Sequence, residues 1–214
     1  MIRRVLPAGG SPRPRLAIEQ VRTRLRDGTR VVVRPVRPED KELLLDGFSR
    51  LSEASRFRRF MSPVTQLSGE QLRYLTEIDY FDHFAWAAVL GDRSDVGIGV
   101  GRYIRIADEP DVAEVAITVV DEHQGKGLGT LLLGMLAATA RLAGIGMFRA
   151  FVLEDNTAMR TLLEDLGVRA RHDAPGVLAM DVPLDPERLP DSPAGLALKA
   201  VAASVLPVKS RVEL

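Results

Sequence analysis

The stretch VVDEHQGKGLGT, Val119 to Thr130, sets three glycines and a lysine between an apolar run and a long aliphatic segment. Such a join suits anion binding. Successive unblocked backbone N–H groups and the positive end of the following helix cradle phosphate oxygens, and glycine lets a ligand reach the backbone. Just upstream, AEVAITVV (113–120) alternates with a strand's period of two. That period puts Glu114, Ala116 and Thr118 on one face and Val115, Ile117 and Val119 on the other. Glu114 is the one carboxylate inside this run, and apolar neighbours push a carboxyl's pKa toward the range a general base needs. Further upstream, DYFDHF brings Asp79, Asp82 and His83 together, either as acids that steer a cationic acceptor or as a solvated turn with a structural histidine.

Two nucleotide readings of the glycine stretch fail on spacing. A triphosphate loop needs G-x-x-x-x-G-K-[ST], but Val120 stands at the first glycine and Gly127 follows Lys126. A dinucleotide fingerprint needs G-x-G-x-x-G, and after Gly125 and Gly127 the third position is Thr130. Gly97, Gly99 and Gly101 fail in the same way, because Arg102 fills the third slot; glycines two apart in a strand mark a bulge or close packing.

The elements that must position these residues can be read from periodicity and breakers. DGTRVVVRPVRPED gives a turn at Asp27-Gly28 and a strand from Thr29 through Arg34. Three helical stretches follow, beginning at Pro38, Ser52 and Ser68. FAWAAVL, VGIGVGRYIRI and VAEVAITVV then form an antiparallel meander. A buried helix over TLLLGMLAATARLAG, a strand at MFRAFVLE, a helix capped by Asn156 and a hairpin across APG complete the core. A short helix around Leu16 to Leu25 and an apolar helix from Ser192 to a stop at Pro207 flank it, the latter docking on its own domain or mediating a homodimer. Arg56, Arg58 and Arg59 read as a solvated helix face opposite Phe57 and Phe60 as core aromatics.

Bulk composition narrows the function classes. Twenty-nine basic residues balance 29 acidic ones, so no global field draws the chain to nucleic acid or to an anionic membrane. The absence of cysteine removes disulfides, thiolate metal sites and a cysteine nucleophile, and it fits a cytoplasmic location. No run of about 18 apolar residues offers a membrane span. His83, His123 and His172 lack metal-ligand spacing, so no metal is expected.

Gln124, Gly127 and Gly129 at the spacing Gln-x-x-Gly-x-Gly, with AEVAITVV before them and LEDNTAMRTLLEDLGV (153–168) after, resemble the pyrophosphate loop of the GNAT acyl-CoA N-acyltransferases. The resemblance runs from about Asp27 to Leu184. It implies an α+β GNAT fold, with a mixed, mostly antiparallel sheet of about six to seven strands flanked by helices. The implied organisation is a flexible tail over 1–26, an acetyltransferase domain over 27–184 and a C-terminal extension over 185–214 with a short helix. Acetyl-CoA is the implied co-substrate. Its contacts would come from Ile117, Thr118 and Val119, where the pantetheine pairs like a strand, and from the loop residues Gln124, Gly125, Lys126, Gly127, Leu128, Gly129 and Thr130. Asn156 matches the family asparagine that touches the pantetheine.

Glu114 holds the family's base position. A lysine ammonium of pKa about 10.4 must lose a proton before it attacks a thioester, and N–H groups near Val119 would polarise the carbonyl. One position departs from the pattern: Leu163 stands where many members carry a tyrosine that protonates the leaving thiolate. Either a thiol of pKa about 8.5 leaves unaided, or another group supplies the proton.

RPVRPEDKELLLDGFSRLSEASRFRRFMS (34–62) and YLTEIDYFDHFAW (74–86) resemble the acetyltransferase domain of bacterial protein lysine acetyltransferases, the mycobacterial cyclic-AMP-regulated type in particular. That resemblance implies direct attack by a protein lysine in a ternary complex, with an AMP-forming acyl-CoA synthetase as acceptor. The regulatory domains fused to those relatives are not expected within 26 leading residues. Acetylation of a small amine or amino acid would use the same fold and loop. A non-catalytic CoA-sensing module is the third reading, and Glu114 speaks against it. A monomer or a homodimer is expected.

Overall fold

A computed structural model describes residues 19–205; residues 1–18 and 206–214, with most of the expected tail and the Pro207 stop, lie outside the described residues. Strands β1 (Val21–Arg24) and β2 (Arg30–Pro35) form an antiparallel hairpin. The segment read as a helix up to Leu25 is therefore an edge strand from Val21 on. Its β-branched Val21 and Thr23 alternate with Arg22 and Arg24, a period-two pattern too short to stand out from sequence. Leu25 is buried in the main core, so the domain begins before Asp27.

Helices α1 (Lys41–Ser49), α2 (Glu53–Phe60) and α3 (Gly69–Thr76) follow. A bidentate Arg34–Asp40 pair at 2.7 Å per bond anchors their entry, and Asp40 also accepts from the Arg37 N–H. Ser68 and Gln71 satisfy each other's backbone N–H groups at the start of α3, a capping box. Strands β3 (His83–Leu90), β4 (Gly97–Ile106) and β5 (Glu109–Val119) form the meander. After α4 (Leu128–Leu142) come β6 (Met147–Leu153), α5 (Thr157–Asp165), β7 (Ala170–Ala174), β8 (Val177–Pro183) and α6 (Pro193–Val205). The strands make one eight-stranded sheet in the order β1-β2-β3-β4-β5-β6-β8-β7, one strand beyond the expected range because of β1.

One face of the sheet carries α1 to α3 and the other carries α4. The glycines of β4 set how close the helices come. A Cβ on Gly101 would stand 2.9 Å from Leu136 Cδ1 and 3.3 Å from Leu132 Cβ, and one on Gly97 would stand 3.1 Å from Leu43 Cγ. A register shift opposite Ala88 and Val89 separates the two packing directions. Gly101→Val is expected to destabilise the fold by about 1–3 kcal/mol through overpacking; urea unfolding should show a lower midpoint at an unchanged slope.

The C-terminal helix docks on its own domain. Leu198 and Ala202 are buried, and a Cβ on Gly134 of α4 would meet Val201 Cβ at 2.9 Å. Ser192 Oγ accepts from the Gly195 N–H at 3.1 Å, as a cap should. Among the described residues no helix is long and apolar enough to cross a membrane.

The meander delivers the functional feature. Strand β5 pairs parallel with β6 only from Val112↔Met147 to Val115↔Ala150, yet β5 continues to Val119. Beyond Val115 the two strands part, and the backbone of Ala116 to Val119 on the β6 side is left for something other than the sheet.

Candidate active site

Two cavities meet at this parting. The first, about 380 Å³, is lined on the helix side by Arg59, Tyr74, Arg102 and Glu114 and reaches through the gap to Ala150, Val152 and Leu163. The second, about 320 Å³, lies along Ile117, Thr118 and Val119 and ends at Gln124, Gly125, Gly127, Gly129 and Thr130. Arg58, Arg59, Ile117, Asn156 and Met159 line both.

The glycine loop turns through positive φ at Gly125 (73°) and Gly127 (89°), which a side chain would strain. It leads directly into α4, whose first-turn amides have no intrahelical acceptor. Side chains of the loop are committed elsewhere. Lys126 Nζ pairs with Asp27 at 3.0 Å, and Leu128 is buried in the core. The Gln124 amide donates to Val119 O at 3.0 Å and to Asp121 Oδ1 at 2.8 Å. Any anion here would therefore meet the backbone of Lys126 and Leu128, not their side chains. Arg26, from the β1–β2 turn, brings its Nε within 3.3 Å of the Cβ position of Gly127 and joins the cavity wall. The loop is also tied to α2, because Asp121 accepts from the Ser52 N–H at 2.9 Å and from Ser55 Oγ at 2.5 Å.

Register explains which polar groups converge on the first cavity. Ile104 lies opposite Glu114 and Arg102 opposite Ala116, so Arg102 shares the face of Glu114. Arg102 is only 3% exposed and donates to His83 Nε2 at 2.9 Å and to Leu75 O at 3.2 Å. Burial, reinforced by the charge of Arg59, lowers its pKa to about 9, so it stays charged at neutrality. Burial and the same two guanidiniums hold His83 down at about 3, leaving it neutral and able to accept that hydrogen bond. Burial raises the Tyr74 hydroxyl and lowers Arg59, whose guanidinium is opposed by the Glu114 carboxylate. Tyr74 Oη and Thr118 Oγ1 are buried without a hydrogen-bond partner among the described residues, a mark of sites completed by water or ligand.

The residues read from sequence divide accordingly. Glu114, Ile117, Thr118, Val119, Gln124, Gly125, Gly127, Gly129, Thr130 and Asn156 line the joined cavities. Asn156 also caps α5, its Oδ1 accepting from the Met159 N–H at 3.3 Å. The acidic turn does not line them. Asp79 Oδ1 accepts from the N–H groups of Phe81, Asp82 and His83, and Asp82 pairs with Arg105 at 2.6 Å. These acids close a turn, as short Asp side chains do. His83 contributes from behind Arg102.

The arginines of α2 overturn the solvated-face reading. Half-buried Arg59 lines both cavities, while Phe57, expected in the core, is 44% exposed. The signal was the spacing of Ser55 and Arg59, which puts both on the helix face turned to the loop. Among the described residues no three His, Cys, Asp or Glu side chains gather to hold a metal ion.

A mixed sheet parted beside a glycine turn and a helix N-terminus defines an acyltransferase class, and the comparisons with known proteins agree. Residues 30–169 match the acetyltransferase (GNAT) domain family, and the chain belongs to that family. It is 40% identical over 177 residues to Acetyltransferase Pat of Mycolicibacterium smegmatis, covering 81% of this chain and 52% of that protein. The chain thus spans about half the length of that relative. It is 33% identical over 150 residues to Acetyltransferase PA5475 of Pseudomonas aeruginosa, covering 70% of this chain and 80% of that protein. Among solved structures, the GNAT domain of S. lividans PAT superimposes with a TM-score of 0.72 at 34% identity, covering 77% of this chain and 96% of that one. A cAMP-binding acyltransferase from Mycobacterium smegmatis superimposes with a TM-score of 0.57 at 30% identity, covering 87% of this chain and 56% of that one.

Proposed function

We propose that the chain transfers the acetyl group of acetyl-CoA to a lysine side chain of a protein, with Glu114 as general base. The observation that carries the reading is the meeting of the two cavities at Ile117 and Asn156, with the glycine loop at one end and Glu114 at the other. In this reading the diphosphate sits on the loop amides and the pantetheine follows the unpaired edge of Ala116 to Val119. The lysine enters beside Glu114 as an ammonium and loses one proton through Glu114 to solvent; the neutral amine then attacks the thioester carbon and gives its second proton to Glu114. Support for a protein acceptor comes from the resemblance of 34–62 and 74–86 to protein lysine acetyltransferases; an AMP-forming acyl-CoA synthetase is the acceptor to try first.

A second reading has an observation of its own. Arg58, Arg59 and Arg102 give the amine-side cavity a cationic lining, which would suit a small amine that carries a carboxylate. Incubation with acetyl-CoA and purified acyl-CoA synthetases, followed by mass-spectrometric mapping of acetyl-lysine, separates the two. Site-selective acetylation of a synthetase lysine is the expected result. Fast acetylation of free amino acids with no protein modified would favour the second reading.

A further inference from the structure

Leu163 is 1% exposed and packed in the core, so this position offers no hydroxyl to protonate a departing thiolate. The junction of the two cavities does offer a charge. Arg58, Arg59, Ile117, Asn156 and Met159 line both cavities, and the reacting carbon must lie between the loop and Glu114, hence at this junction. Of the polar groups there, Asn156 caps α5 and Arg58 is exposed, whereas Arg59 is half-buried with its guanidinium against the Phe60 ring, 5.1 Å from the centroid.

We infer that Arg59 is a catalytic residue that stabilises the departing CoA thiolate by its charge, in place of a general acid. The inference rests on the acetyl-CoA reading above. The amine nitrogen forms its bond to the acyl carbon, the C–S bond breaks, and the electron pair stays on sulfur. The amine is already neutral when it attacks; as the C–N bond forms its remaining surplus proton goes to Glu114, and solvent later protonates the released thiolate. Charge is conserved locally throughout. Before reaction the Arg59 cation shares the first cavity with the Glu114 carboxylate, which opposes its charge. Once Glu114 holds the proton, the same cation faces the thiolate, so the site need not solvate a new net charge in a low-dielectric gap.

The other ionisable groups around the junction do not take this part. Arg102 of β4 is tied to His83 and Leu75 and lines the first cavity but not the second. Tyr74 of α3 faces the amine side, and its hydroxyl is held neutral by burial. His123 and Arg26 stand at the loop end of the second cavity, and Asp173 of β7 lies on the β8 side of the first. The position of Arg59 also follows the loop, because Asp121 binds Ser55 one helical turn before it.

The test titrates the thiol of bound CoA by the ultraviolet absorbance of its thiolate, in the wild type, Arg59→Met and Arg59→Lys. The wild type is expected to hold the bound thiol at least about one pH unit below free CoA, as an opposite charge at contact does. Arg59→Met should abolish that shift and lower kcat by about 100-fold, with KM for acetyl-CoA little changed; Arg59→Lys should restore part of both. A bound thiol that titrates alike in the wild type and Arg59→Met overturns the inference. So does a wild-type value at or above that of free CoA, which needs no variant to fold. Failure of the wild type to bind CoA at all would instead overturn the acetyl-CoA reading, and calorimetry on the same samples tells the two apart.

Discussion

Glu114→Gln is expected to lower kcat by about 10²–10⁴-fold, the usual worth of a positioned general base, while calorimetry finds CoA bound as tightly as in the wild type. The amide keeps the size of the carboxylate, so the walls shared with Tyr74, Arg59 and Ala116 stay in place. It cannot accept a proton at neutral pH. Because the loss falls on a step after binding, kcat and kcat/KM should fall together and KM for acetyl-CoA should hold. Full activity in Glu114→Gln would move the base elsewhere in the cavity or make amine deprotonation a solvent step. The position on the strand underlies the size of the effect. Glu114 stands one residue before the last parallel pair with β6, Val115↔Ala150, which puts it at the apex of the opening.

The face of Glu114 and the loop beyond it were legible from residue order alone, because strand period and loop spacing are local properties. The alternation of AEVAITVV gave the face of Glu114, and Gln124, Gly127 and Gly129 gave the loop. The polar surroundings of Glu114 were not legible. Arg102 stood out in the sequence merely as the residue that spoils a glycine fingerprint; its place beside Glu114 comes from the β4–β5 register, a long-range fact. Arg59 was masked by a neighbouring aromatic. Phe57 and Phe60 suggested a buried stripe, yet Phe60 alone is buried, and the tie from Ser55 to Asp121 turns Arg59 toward the cavities. For Asp79 and Asp82 the sequence left a steering role and a turn both open, and only the hydrogen bonds of the folded chain show the turn they close. Strand β1 was missed because four residues carry too little periodicity to outweigh an apolar, helix-compatible context.

Gly129→Glu offers the sharpest test of the loop, because stability and binding should move in opposite directions. Gly129 is the second residue of α4; a Cβ there meets nothing within 4 Å, and the position opens on the second cavity. Replacing a helical glycine recovers about 1 kcal/mol of propensity, and an acid in the first turn adds a few tenths through the helix dipole. The urea midpoint should therefore rise, or at least hold. The same carboxylate points to where a diphosphate would sit on the first-turn amides. Two unit charges at 4 Å repel by about 4 kcal/mol near a protein surface, and solvent access will reduce that, so a loss of about 100-fold in CoA affinity is expected, or about 2.7 kcal/mol. Gly129→Ala should lose far less, since it adds a methyl group and no charge. A stable Gly129→Glu protein that binds CoA undiminished would exclude these amides as the phosphate site. A weakened binder with a raised melting point could not be attributed to misfolding, and it would support the first-turn amides at Gly129 as the phosphate site.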